Sequence, residues 1–160
     1  MGGLTAPLVC DRLDVRELVL VNAMTPSPGE KGADWWANTG QPAAMAAFAV
    51  QQGRDPTTID DPWELFFHDA DPALRAEVQA AKEPPQSGRP FEDPWPLTAW
   101  PSVATRFLAA RDDRLFPLEF QRRVVAERLG REVEETPGGH LNPLTQPVAI
   151  AERLTGGGER

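Results

Sequence analysis

The sequence predicts an α/β fold: about three parallel strands, flanking helices and one inserted helical segment. Three observations lead there. Leu18-Val19-Leu20-Val21 is a short, unbroken apolar run, the pattern of a strand covered on both faces as a parallel sheet requires. Thr105-Arg106-Phe107-Leu108-Ala109-Ala110 is a second strand, followed by a helical pattern and a third short strand, so strand and helix alternate. Between the first two strands, residues 26–101 hold twelve of the seventeen prolines and all five tryptophans. That composition departs sharply from the rest and marks an insertion.

Each element has a local reason. Residues 3–13, with Leu4, Ala6, Pro7, Leu8, Val9 and Leu13, suit a helix laid against a sheet. The strand Leu18 to Asn22 stops before Pro26 and Pro28, which cannot extend it. Short helices are expected at 33–38, 42–51, 62–68 and 72–82, and the proline-rich stretch 83–101 as an ordered loop returning to the sheet. Linkers lack so many aromatics, so 26–101 is expected to fold as a small helical subdomain whose tryptophans form its own core and underside. Pro117 suits the first turn of a helix reaching Leu129, with Gly130 as its stop. Arg131 to Glu135 reads as a short strand, and Pro143 to Leu154 as a final helix before the glycine-rich end at 156–160. Residues 1–25 and 102–160 then make the sheet domain, and 26–101 the insertion.

Bulk properties narrow the function classes. A chain of 160 residues can bury one real core but not two of ordinary size. A net charge of −8 argues against a nucleic-acid partner, which calls for a basic patch. No run approaches the ~18 apolar residues of a membrane span, and no basic region of a signal peptide follows Met1. The single cysteine, Cys10, excludes an internal disulfide and fits a reducing compartment, so a cytoplasmic location is expected. Cys10 itself reads as a small buried hydrophobe. Two histidines without ligand-spaced carboxylates or thiolates make no metal site, and no cofactor is expected. Within Phe66-Phe67-His68-Asp69, His68 reads as a surface or interhelical residue.

The chemistry concentrates in three places. Met1-Gly2-Gly3-Leu4-Thr5 reads as the second half of a G-x-S-x-G nucleophile elbow, with Met1 the residue after the nucleophile and Gly2 the closing glycine. Asp112 and Asp113 follow the strand ending at Ala110. His140 follows the next strand, after Gly138-Gly139. In open parallel sheets, functional groups gather at the carboxyl ends of strands. Adjacent strands would therefore deliver a carboxylate and an imidazole to one edge, the arrangement a general base and its orienter need. Ser27, Ser87 and Ser102 each neighbour a proline or lie in a loop, so none sits in an elbow.

On these residues the chain resembles the lidded α/β-hydrolases of the esterase, hydroxynitrile-lyase and haloperoxidase-like group. The matching pieces are Met1-Gly2-Gly3, the strand Leu18 to Asn22, A-R-D-D-R-L-F-P at 110–117 and P-G-G-H-L at 137–141. The order of acid and then histidine after the elbow is that of the family. The resemblance covers the fold from the elbow onward, and 26–101 stands where the family places its lid. It implies a serine hydrolase acting on a small, fairly apolar ester, with His140 as base and Asp113 as acid (Asp112 the alternative). It further implies the backbone N–H of Met1 as an oxyanion donor, and places Trp35, Trp36 and Trp63 where a lid could touch substrate. Related outcomes on the same fold are hydroxynitrile lysis, C–C bond hydrolysis or cofactor-free haloperoxidation.

The resemblance carries a further expectation: the nucleophile lies before Met1. A chain beginning there is expected to be inactive alone and to need its N-terminal half or a partner chain. The first strand would then show an open edge prone to association. The competing class is a non-catalytic binding protein, or a degenerate fragment, in which His140 and Asp113 persist as relics.

Overall fold

A computed structural model describes residues 1–82 and 84–156. Three parallel strands form one sheet in the order β1-β2-β3: β1 Glu17–Val21, β2 Ala104–Ala110 and β3 Glu134–Thr136. Leu20 lies opposite Phe107 and Val21 opposite Leu108, while Ala110 pairs with Thr136. The last four residues of the central strand, Phe107 to Ala110, are all buried, as a strand flanked on both sides demands.

β1 differs from the expectation of burial on both faces. Leu18 and Leu20 are buried, but Val19 and Val21 are only half-buried. The cause is position: β1 is the outer strand, with β2 on one side and nothing hydrogen-bonded on the other among the described residues. β3 begins three residues later than Arg131, because pairing starts only where Leu108 meets Glu134.

The chain opens with a short helix, α1 Gly2–Thr5, and a 3-10 turn over Ala6–Val9, rather than one helix over 3–13. Pro7, which has no backbone N–H to donate, stands at the junction. Cys10 follows in a turn, half-buried against the cluster that includes Leu18 and Phe107.

Between β1 and β2 come α2 Gly32–Thr39, α3 Gln41–Gln51, α4 Pro62–Phe66, α5 Pro72–Ala80 and α6 Arg89–Glu92. Prolines open α3, α4 and α5, and the Asp61 and Asp71 side chains cap α4 and α5 by accepting from Trp63 N and Leu74 N. Gly40, at φ 67°, is the left-handed pivot between α2 and α3. The turn α6 falls inside the stretch expected to be loop. The ends of the segment meet: Gly29 N donates to Trp95 O and Trp95 N to Glu30 O.

After β2 comes α7 Leu118–Leu129, stopped by Gly130 at φ 62°. Past β3 the expected single helix is two, α8 Asn142–Thr145 and α9 Pro147–Thr155. Pro147 disfavours helical geometry at Gln146, and there the helix breaks. Residues 157–160 of the glycine-rich end lie outside the described residues.

The tryptophans do not make a separate core for the insertion. Trp35 and Leu65 share one cluster with Leu4, Met24, Leu115, Phe116, Phe120 and Val124, so α7 and the loop after β2 supply half of it. The indole N–H groups of Trp35, Trp95 and Trp100 donate to the carbonyls of Thr25, Leu4 and Pro26, at 3.1, 3.1 and 3.0 Å. Trp35 and Trp95 thus tie residues between β1 and β2 to Thr25 and Leu4, while the Trp100 bond stays within 26–101.

A buried ion pair adds to the fastening. Arg128 of α7 reaches Glu30 at 2.6 Å, with side-chain exposures of only 14% and 6%. Burial alone would raise the Glu30 carboxyl. Hydrogen bonds from Arg128, Asn38 and the Ser27 backbone outweigh it, and the group sits below the ordinary glutamate range. A depressed folded-state pKa means stability present above the ordinary value and lost as pH falls through the depressed one. Melts from pH 7 to 3 are therefore expected to show an acid-sensitive loss in the native chain. Glu30→Gln should lower stability at pH 7 by about 3 kcal/mol and flatten that dependence, because Arg128 is left buried without its partner. An unchanged acid dependence in Glu30→Gln would refute this.

Candidate active site

The sheet's carboxyl edge holds a dyad. His140 Nδ1 lies 2.8 Å from Asp113 Oδ2. Asp113 is fully buried, and His140 exposes 15% of its side chain. The loop after β2 turns tightly so that Asp113 Oδ1 accepts from both Leu115 N and Phe116 N at 2.8 Å, while Gln121 Nε2 of α7 lies 3.4 Å from Oδ2. These donors fix the carboxylate in one rotamer. With Oδ2 as acceptor, the imidazole proton belongs on Nδ1, which leaves Nε2 as the basic nitrogen.

Asp112 is placed differently. It is 45% exposed and pairs with Arg111 at 3.2 Å, so of the two neighbouring carboxylates only Asp113 touches the histidine. The rings of Phe66, from α4, and Phe116 meet the imidazole edge-on, at centroid distances of 5.3 and 5.0 Å.

His140 also lines a cleft of about 270 Å³. Met1, Gly2 and Gly3 line it too, with Val19 to Ala23 at and just past the end of β1. Residues 1–3 and the histidine therefore share one space. The close backbone approach falls one residue later than the sequence implied. A Cβ on Gly3 would lie 1.8 Å from Met24 O, whereas one on Gly2 would meet nothing within 4 Å.

The three tryptophans placed near substrate stand elsewhere, since none of them lines this cleft. Trp35 is 1% exposed and packed against Phe116 and Phe120, so it is a core residue. Trp36 packs on Phe116, and Trp63 stacks on Phe67.

Sequence spacing missed the groups that hold the histidine loop. Asn22, just past β1, takes the left-handed conformation (φ 46°), which a non-glycine residue adopts only with support. Its side chain supplies that support. Oδ1 accepts from Ala110 N at 2.7 Å, and Nδ2 donates to His140 O at 2.9 Å and to Asn142 Oδ1 at 3.1 Å. Asn142 continues to Thr136 Oγ1 and Pro137 O, both at 2.9 Å. This buried polar chain ties the ends of all three strands to the backbone of His140. Its signal in the sequence was only an asparagine at a strand end.

Comparison with known proteins places the fold. The profile of the family described as "Alpha/beta hydrolase family" matches residues 1–153. Two crystal structures of polyneuridine aldehyde esterase, one of them a mutant, superpose with TM-scores of 0.69 and 0.66 at 17% identity. The alignments cover 99% and 95% of this chain but 69% and 65% of those chains, so the chain spans about two thirds of their length. At that identity the likeness concerns the fold. Among curated proteins nothing matches. No described helix is long and apolar enough to cross a membrane.

Proposed function

The chain belongs to the α/β-hydrolase family, and on that premise we propose that it carries the base and orienting acid of a serine esterase for small, fairly apolar esters. His140 is the base and Asp113 its partner. One observation carries the reading: His140, held by the 2.8 Å Nδ1–Oδ2 bond, lines the same cleft as Met1 to Gly3. In the elbow reading the serine directly precedes Met1, so its hydroxyl enters the cleft with Nε2.

The reaction follows from that placement. Nε2 takes the serine proton as the oxygen attacks the ester carbonyl, and the Asp113 carboxylate stabilises the imidazolium that forms. The same proton then passes to the departing alcohol. Water repeats the cycle on the acyl-enzyme. The backbone N–H of Met1 is the candidate oxyanion donor. Residues 26–101 act as the lid, and Phe66 on that segment, edge-on to the imidazole as Phe116 is, keeps water from it. The chemistry calls for no metal or organic cofactor.

The test compares the protein isolated from its source with its His140→Ala variant on p-nitrophenyl acetate and butyrate. The expected result is turnover by the native protein and a loss of at least about 10⁴-fold in the variant. Equal turnover by the two would remove His140 as the base, and turnover by neither would make this a non-catalytic member of the family.

A further inference from the structure

The segment between β1 and β2 also reaches the loop that carries His140. Its Asp69, in the turn after α4, reaches 70 residues along the chain to the glycine loop: Oδ2 accepts from Gly139 N at 2.8 Å and from Thr145 Oγ1 at 2.7 Å. The loop is shaped to admit it. A Cβ on Gly139 would lie 2.6 Å from His68 Nε2 and 3.0 Å from Asp69 Oδ1, and one on Gly138 would lie 3.0 Å from Asp69 Oδ2. His68 in turn sits against the backbone of Asp112, next to the acid. The dipeptide His68-Asp69 therefore touches the loops of both dyad members without touching the dyad.

We propose that Asp69 is a positioning residue for His140: by holding Gly139 N and the Thr145 hydroxyl together, it sets the angle at which the imidazole meets Asp113. The inference rests on His140 being the base. It makes seating of the inserted segment a condition for a competent base, because the last residue before the histidine is bonded to that segment.

The free atoms make the test selective. Asp69 Oδ1 and His68 Nε2 are buried without a hydrogen-bond partner, and both lie within 3.0 Å of one point beside Gly139. Asp69→Asn keeps an oxygen for Gly139 N and Thr145 Oγ1. Its amide nitrogen takes the place of Oδ1 and faces the unpartnered His68 Nε2. Asp69→Ala removes the latch.

Two readouts are needed, kcat and KM on p-nitrophenyl acetate and the low-field proton resonance of His140 Nδ1–H. Loss of that resonance in His140→Ala, with its survival in His68→Gln, assigns it. Asp69→Ala is expected to lower kcat on the order of 100-fold with little change in KM, and to shift or broaden the resonance. Asp69→Asn should keep both near native. Should Asp69→Ala fail to fold, Thr145→Val removes one arm of the latch and should move the same two readouts in the same direction. A native resonance and native kcat in Asp69→Ala, or in Thr145→Val where Asp69→Ala does not fold, overturn the proposal, as does an Asn variant as damaged as Ala. Loss of kcat in His140→Ala alongside native kcat in Asp69→Ala removes only the latch; native kcat in His140→Ala removes the base reading beneath it.

Discussion

Asp113→Asn is expected to cut ester turnover by about 10⁴-fold, the size of effect a wrong histidine tautomer has in serine proteases, while the fold survives. Oδ1 accepts from Leu115 N and Phe116 N, so the amide oxygen must stay on that side to keep both bonds. The amide NH2 then faces His140 Nδ1 at the place of Oδ2. Nδ1 becomes the acceptor, the ring proton moves to Nε2, and the nitrogen that should take the serine proton no longer can. Flipping the amide would restore the tautomer only by leaving two buried N–H groups unpaired, at about 1–3 kcal/mol each. Asp112→Asn, on an exposed side chain paired with Arg111, should leave turnover within about threefold of native. Steady-state rates for both variants, with thermal melts as control, check the contrast. Equal losses in the two would contradict the assignment of the acid.

The second large effect is on stability. Gly3→Ala would set a methyl group 1.8 Å from Met24 O and 2.9 Å from Met24 C, atoms of the backbone that cannot swing away. Either α1 or the chain leaving β1 must move, and Leu4, buried in the main cluster, moves with it. A cost of about 3 kcal/mol or more is expected. Gly2→Ala meets nothing within 4 Å and lies in the first turn of α1, so its cost should stay within about 0.5 kcal/mol. Urea unfolding of the two variants measures the difference. Similar midpoints would mean that the elbow region does not pack as described.

What was legible in the sequence was what local chemistry specifies. The helices of the insertion begin where prolines and capping aspartates stand, α7 ends at a left-handed glycine, and β2 is a run with no polar break after Arg106. Asp113 and His140 were legible because strand ends predict where side chains gather. The rest depends on pairing across the chain. The edge position of β1 was expected and the strand order has it, but the apolar run alone implied burial on both faces, whereas Val19 and Val21 are half-buried. β3 starts where β2 offers it a partner. Asn22 meets His140 across 118 residues, and Asp69 meets Gly139 across 70. Asn22 was read only as a strand end, and Asp69 only as the neighbour of a histidine read as surface or interhelical. Trp35 was expected in a core of the insertion's own or against substrate, yet its ring packs in a cluster shared with α7 and its indole N–H donates to Thr25 O.

The account's central claim is that His140, oriented by Asp113, activates a serine held at the head of the cleft beside Met1 to Gly3. The most direct measurement is to label the protein isolated from its source with a fluorophosphonate and identify the modified peptide by mass. The predicted result is one labelled serine on the peptide that runs into Met1-Gly2-Gly3, with labelling abolished by His140→Ala. Absence of label, or label on Ser27, Ser87 or Ser102, would contradict it.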